Sequence, residues 1–348
     1  MIPALSVLDL VPVRTGQSSA QAVAASLSLA ARADELGYAR YWFAEHHNMP
    51  AVASTTPPVL AAAAAARTQR IRVGSGGVML PNHSPLVVAE QFAALEAIAP
   101  GRVDLGIGRA PGSDPVITQL LRMSGTTSDV DRFPDHIRDI LALTSHDGAS
   151  YRLAGRPEGE DRYAVHATPA AAGAPELWLL GSSDYSATLA AAFGLPYVFA
   201  NHFSGEGLER ALDLYRQGFT PSETLAEPRT FLTANAVVAP TRAEAEQRML
   251  PQARMMARLG GGRPLVALET VEQAADAEAH DHLAAPLLDA LRGRWFVGEP
   301  AETRERVVAF AAQHGVDEVM ISPVAGAFDS EPMDSADGRL QTLELLAG

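Results

Sequence analysis

The sequence predicts an α/β fold, a single (β/α)8 TIM barrel over residues 1–348, with insertions. Three observations carry this. Strand and helix patterns alternate about eight times along the chain. The connections contain helices, so successive strands run parallel with right-handed crossovers. Residues able to do chemistry recur just past the carboxyl ends of strands, the face on which such barrels place their sites. A doubly wound open sheet is the competing arrangement. It would want a glycine fingerprint after the first strand, and Leu5–Gln17 has none.

Leu5–Val11 reads as the first strand; Asp9 within it and the lack of a basic leader argue against a signal peptide. Gln21–Leu36 is a helix with Val23, Leu27, Ala30 and Leu36 on one side, stopped by Gly37. Tyr38–Phe43 is the second strand, running into Ala44-Glu45-His46-His47-Asn48. Pro57–Arg67 is an alanine-rich helix whose small residues suit close packing, in a homodimer interface or in the barrel shell. Ile71, Val73, Val78 and Leu80 bracket Gly74-Ser75-Gly76-Gly77, a third strand whose backbone can be approached closely. Ser84 and Pro85 give a helix start, a hydroxyl cap followed by proline at the first helical position. Val88, Phe92, Leu95 and Ile98 form its expected buried stripe, and Pro100-Gly101 stops it.

Val103, Leu105 and Ile107 alternate through the fourth strand, which ends in Gly106-Ile107-Gly108-Arg109-Ala110-Pro111-Gly112. Helices are expected over Asp114–Met123 and Asp135–Leu143, with Ser145–Pro175 mostly loop and room in it for a small hairpin. Glu176–Leu180 is strand five, entering Gly181–Ser186 and a helix to Phe193 that Gly194 ends. Tyr197–Ala200 is strand six, followed by Asn201-His202-Phe203. A helix over Gly207–Phe219, strand seven over Thr230–Val238 and a helix over Arg242–Arg258 come next. Gly260–Leu291 opens with three glycines and reads as an irregular, mobile insertion or lid. Ala301–His314, Glu318–Ile321 and Leu340–Leu346 supply the last long helix, the last strand and a terminal helix.

The formal net charge is −14, and all 27 basic residues are arginine. An acidic balance argues against nucleic acid or an anionic membrane as partner. The absence of cysteine removes disulfides, zinc–thiolate sites, iron–sulfur clusters and a thiol nucleophile. Pro58–Ala66 is apolar but too short to span a bilayer. The expectation is a soluble, cytoplasmic protein.

In a barrel, Glu45 and His46, Gly76-Gly77, Arg109, Ser182, Ser183, Ser186 and His202 converge on one face. Backbone N–H groups and hydroxyls at the helix start after Gly181 suit a phosphate, and Arg109 would complete a charge-assisted clamp. Ser182 or Ser183 capping the helix is compatible with that role. Glu45-His46-His47 is not read as a metal site, because neighbours on a strand point to opposite sides and no further ligand motif completes it. A neutral histidine there suits general acid or base chemistry, with a structural hydrogen bond as the alternative. Gly106-x-Gly108-x-x-x-Gly112 misses the dinucleotide fingerprint, and neither a Gly-x-Ser-x-Gly elbow nor a Walker A pattern occurs.

RYWFAEHHNMP, RVGSGGVMLPNHSPLVVAEQF, LEAIAPGRVDLGIGRAPGSD, LWLLGSSDYSA and GLPYVFANHF resemble the bacterial luciferase-like flavin monooxygenases, in the single-chain subgroup, nearly end to end. The resemblance implies a luciferase-like barrel binding FMN. By match of motif, Arg109, Ser183 and Ser186 would hold the phosphate, with Ser182 contributing backbone. Glu45 would lie near the flavin's polar edge, and Gly76-Gly77 at a cis peptide under the ring. His202 would stand beside the ring, and His46 would be the acid/base. Luciferase has a reactive cysteine just before this arginine, whereas this chain has Gly108, which sets it apart from luminescence itself.

The activity implied is that of a two-component monooxygenase. A flavin reductase would supply FMNH2, O2 would form a C4a-peroxyflavin, and an organic small molecule would be hydroxylated or epoxidised. Tailoring of polyketide-like secondary metabolites, as in antibiotic biosynthesis, is the analogy, and a homodimer is the expected state. The alternatives are an F420-dependent oxidoreductase on the same barrel and a non-catalytic flavin-binding protein.

Overall fold

A computed structural model describes residues 2–110, 115–122, 130–157, 160–203 and 205–348. Eight strands close a parallel barrel: β1 (Ala4–Asp9), β2 (Arg40–Phe43), β3 (Arg72–Met79), β4 (Val103–Gly108), then β7 (Glu176–Gly181), β8 (Tyr197–Phe199), β9 (Thr230–Val238) and β11 (Glu318–Pro323), which returns to β1. These are the eight strands expected from the sequence. β5 (Ala149–Arg152) and β6 (Arg162–Val165) form the small antiparallel hairpin outside the barrel. One further strand had no counterpart in the sequence reading: β10 (Phe296–Gly298) pairs parallel with the end of β9.

The helices are α1 (Ser19–Glu35), α2 (Pro57–Ala65), α3 (Pro85–Ile98), α4 (Pro115–Arg122), α5 (Phe133–Leu143), α6 (Asp184–Phe193), α7 (Leu208–Gly218), α8 (Arg242–Gly260), α9 (Val271–His280), α10 (Ala285–Arg294), α11 (Pro300–His314) and α12 (Asp337–Ala347). Ser18 and Gln21 make a capping box on α1, and Gly194 ends α6 in the left-handed conformation that glycine adopts most readily. Pro111, Gly112, Asp114 and Met123, named in the sequence reading, lie outside the described residues.

Four expectations are corrected. The first strand stops at Asp9: Val11 takes a positive φ of 51°, and its N–H bonds the Asp9 carboxylate, a local turn that competes with the ladder. Ser84 does stand at the cap of α3, but its hydroxyl makes no capping bond there. Ile98 is 57% exposed. Residues turn by about 100° each along a helix, so the face buried by Val88, Ala89, Phe92, Ala93, Leu95 and Glu96 leaves Ile98 on the outer side. The stretch expected to be irregular, 260–291, is mostly α9 and α10. α9 buries only Val271 and Ala274, and α10 only Leu291, so neither writes an apolar stripe into the sequence.

The barrel interior is layered. A middle layer of Leu8, Trp42, Trp178, Val198, Phe231 and Met320 draws one side chain from each of six strands. The other two strands bring glycines instead. A Cβ at Gly74 would lie 2.2 Å from the Asp104 carbonyl oxygen, and one at Gly106 2.2 Å from that of Ser75. Side chains on β3 and β4 at these points are thus excluded by backbone, and within the layer Trp42 and Trp178 meet edge-on at 5.8 Å.

Towards the amino-terminal ends of the strands, charges fill the interior. Arg40 pairs with Asp104 and Glu318 at 2.9 Å each and with Glu176 at 3.3 Å, while its guanidinium lies 4.7 Å from the Trp178 ring centre. Arg72 binds the other oxygen of Asp104 at 2.6 Å, and the Trp42 indole N–H donates to Asp104 at 2.9 Å. Asp104 is fully buried and meets two guanidiniums. Removing one partner of such a cluster leaves the others charged and desolvated. Asp104→Ala is therefore expected to cost about 3–5 kcal/mol of stability, read as a drop in the urea midpoint.

Candidate active site

A cavity of about 770 Å³ opens at the carboxyl ends of the barrel strands. Glu45, His46, Gly76, Gly77, Arg109, Ser182, Ser183, Ser186 and His202 all line it, so the structure brings every candidate residue together. The reason is topological: each lies within, or a few residues beyond, a parallel strand, and the closed barrel turns those ends to one side.

Glu45 follows β2 and is 1% exposed. Its Oε1 accepts hydrogen bonds from His47 Nε2 at 2.9 Å and His83 Nε2 at 2.7 Å, and its Oε2 accepts from the Met79 N–H at 3.0 Å. Burial alone would raise its pKa, but the bonds from His47 and His83, the charge of His83 and the Met79 bond together hold it down to about 2. Glu45 is therefore a carboxylate held by three hydrogen bonds, and it fixes β2, β3 and the segment before α3 to one another. His83 was missed in the sequence, where it reads as a loop residue. Its place between β3 and α3, on the site face, was the signal available.

His46 stands beside this carboxylate without bonding it. Its backbone N–H donates to the Ser54 carbonyl at 3.0 Å, and its ring Nδ1 is buried with no partner. Burial lowers its pKa, opposed by the charge of Glu45 and assisted by His47, so the ring is neutral at pH 7. His202 is neutral too, its pKa pushed to about 3 by burial and then by His46. The Thr233 hydroxyl donates to the Phe199 carbonyl at 3.3 Å and accepts from His202 Nδ1 at 2.7 Å, which leaves His202 Nε2 as the acceptor nitrogen. Phe203 packs at 4.3 Å from the His202 ring and 6.5 Å from His46.

Arg109 follows β4, its guanidinium 4.1 Å from the Tyr185 ring centre in the first turn of α6. No carboxylate pairs with it among the described residues. Ser183 is the cap residue of α6, yet its hydroxyl makes no capping bond, so the helix start keeps donors unclaimed by that side chain. The Ser186 hydroxyl donates to the Ser183 carbonyl at 2.9 Å, and Asp184 is drawn off by Arg210 at 2.8 Å. An unpaired guanidinium at a helix amino terminus with exposed serines is a receptor for a phosphate or similar anion. Tyr185 was missed in the sequence because nothing in Ser183-Asp184-Tyr185 marks it as the arginine's platform.

The Gly76–Gly77 peptide is cis. A Cβ at Gly76 would stand 2.6 Å from Leu8 Cδ1, and one at Gly77 2.8 Å from the Gly106 carbonyl oxygen. These positions admit only glycine without a shift of neighbours, and they give the cavity a stretch of bare backbone. On the opposite bank α8 contributes Pro251, Met255, Met256 and Leu259. Sequence reasoning placed α8 but could not see which side of it faces the barrel mouth. The following segment is tied down by Leu268, whose N–H donates to Val13 O at 2.9 Å and whose carbonyl accepts from the Thr15 N–H at 2.8 Å.

The sequence model described as luciferase-like monooxygenase matches residues 4–318. A luciferase-like monooxygenase of Escherichia coli strain K12 is 39% identical over 325 residues, 92% of this chain and 91% of that one. The crystal structure of apo-MsnO8 superposes with a TM-score of 0.85 at 32% identity, covering 99% of this chain and 96% of the other. The oxygenating constituent of 3,6-diketocamphane monooxygenase from Pseudomonas putida, a type II Baeyer–Villiger enzyme in complex with FMN, gives 0.71 at 21% identity over 99% and 96% of the two chains; that likeness is one of fold.

The Glu45 geometry sets a pH dependence. Its folded pKa of about 2 lies below the ordinary 4.5, so its contribution is fully present above pH 4.5 and is lost as the pH falls towards 2. The shift is worth on the order of 3 kcal/mol. Glu45→Gln is expected to lower stability at pH 7 and to flatten the acid limb between pH 4.5 and 2, measured by urea unfolding across pH.

Proposed function

The chain belongs to the luciferase-like monooxygenase family and is a flavin-dependent enzyme of that kind; on that premise we propose that it binds reduced FMN from a separate flavin reductase and places one oxygen atom of O2 on an organic substrate. The observation that carries the cofactor choice is Arg109, a guanidinium without a carboxylate partner, held by Tyr185 at the first turn of α6.

The residues fit the group. Arg109, the α6 amino terminus, the hydroxyls of Ser183 and Ser186 and the backbone of Ser182 would hold the phosphate. The bare backbone of Gly76-Gly77 would lie against the ring, with Glu45 and His202 at its border. Reduced flavin, when bound, supplies the electrons that activate dioxygen. His46 holds an acceptor or a proton at the orphaned Nδ1, and as a neutral imidazole at pH 7 it can take or return that proton. Glu45, held by three bonds and ionised at neutral pH, positions His47 and His83. The apolar bank of α8 keeps water from the reacting end.

Two variants test this. Arg109→Ala is expected to weaken FMN binding at least about tenfold in a fluorescence titration and to leave riboflavin binding within about twofold, since the lost bonds go to phosphate. Equal effects on the two flavins would refute the phosphate assignment. His46→Gln is expected to keep FMN affinity while changing the reoxidation rate of bound FMNH2 after air is admitted by about tenfold or more. If reoxidation in the presence of the parent chain matches free flavin, the oxygenase reading fails.

A further inference from the structure

We infer that the substrate of this site is an uncharged, largely apolar molecule and that the α8 bank selects it. The inference rests on the functional reading above, because that reading assigns Arg109 to the cofactor. It begins from the charges around the cavity. Asp9 and Arg339 close on each other at 2.5 Å, and Asp9 also takes the Val11 N–H at 2.7 Å and the Tyr41 hydroxyl. Glu45 is already engaged by His47, His83 and Met79, and His46 and His202 are kept neutral by burial. Among the described side chains lining the cavity, that leaves Arg109 as the cation without a carboxylate.

Once a phosphate takes Arg109, a carboxylate, sulfonate or ammonium entering the remaining space would lose its water and find no counter-ion. Burying a charge without a partner is strongly unfavourable, whereas an apolar surface gains on leaving water. The α8 side of the remaining wall is mostly apolar, with Met255, Met256 and Leu259 from α8, Leu265 and Leu268 from the segment after it, and Phe203; the polar residues among the rest, such as Asn235 and Ser322, carry no charge. Two adjacent thioethers give a surface that adapts to irregular shapes without offering a charge. The neutral amide of Gln252 lines the same bank and is suited to meeting one hydroxyl or carbonyl of the substrate.

The test titrates a matched pair, 2-decanone and decanoate, into FMN-saturated protein at pH 7.5 by calorimetry. The ketone is expected to bind at least tenfold tighter. Decanoate binding equally or more tightly, or no ketone binding up to its solubility limit, overturns the inference. The same pair titrated into Arg109→Ala keeps this apart from the cofactor reading. There the free cation is gone with or without flavin, and the tenfold preference should persist even if FMN proves not to bind. A third titration uses Leu259→Arg, at a position 45% exposed and so tolerant of a long side chain. The ketone-to-decanoate ratio should fall at least fivefold, with FMN affinity within twofold of the parent. An unchanged ratio there and in Met256→Arg would remove α8 as the selecting wall.

Discussion

The base of the barrel is built around the Asp104 carboxylate. This carboxylate has no exposure, and it holds Arg40 from β2, Arg72 from β3 and the indole of Trp42 at once. Through Arg40 the same cluster reaches Glu176 on β7 and Glu318 on β11, so five of the eight strands are tied at their amino-terminal ends. Buried charges of this kind contribute little net stability over a well-packed apolar core, but they tolerate few alternative registers. Trp42 then carries the constraint upward, since its indole is bonded below and its ring packs against Trp178 and Phe231.

The glycines of β3 and β4 follow from that packing. Gly74, Gly77 and Gly106 let the β3 and β4 backbones approach more closely than any side chain allows, and the missing Cβ of Gly76 makes room for Leu8 and Trp42. At the carboxyl end the same close approach leaves backbone at the cavity surface instead of a side chain. The floor of the barrel and the bare patch in the site are thus two ends of one packing solution. Glu45 performs at the top the service Asp104 performs at the bottom: both are buried carboxylates whose partners come from neighbouring strands and loops.

The cavity separates its chemistry by environment. The helix start with Arg109 is cationic and accessible, the His46–His202 region is desolvated and neutral, and the α8 bank is apolar. On the proposed function, an anionic group, a proton-handling step and an uncharged substrate would each fall to one of these surroundings. No residue is asked to serve two of them.

The eight barrel strands and the residues at their carboxyl ends are legible in the chain alone, because parallel βα units write their periodicity and glycine stops locally. The chain also carries the family, in the runs around Glu45-His46, Gly76-Gly77, Arg109 and Ser182-Ser183. What those residues face depends on the closure of the barrel. That His83 bonds Glu45, that Tyr185 underlies Arg109, and that Ser183 leaves its cap unmade are contacts between distant segments or choices among rotamers. The helices α9 and α10 were illegible for a related reason: a helix that buries Val271 and Ala274, or Leu291 alone, has no stripe to read; α9 starts on a capping box, and α10 rests its half-buried Leu287 and Leu288 on the cluster beside α8. Periodicity reports how much of an element is buried; the partner that buries it is set by the closed barrel.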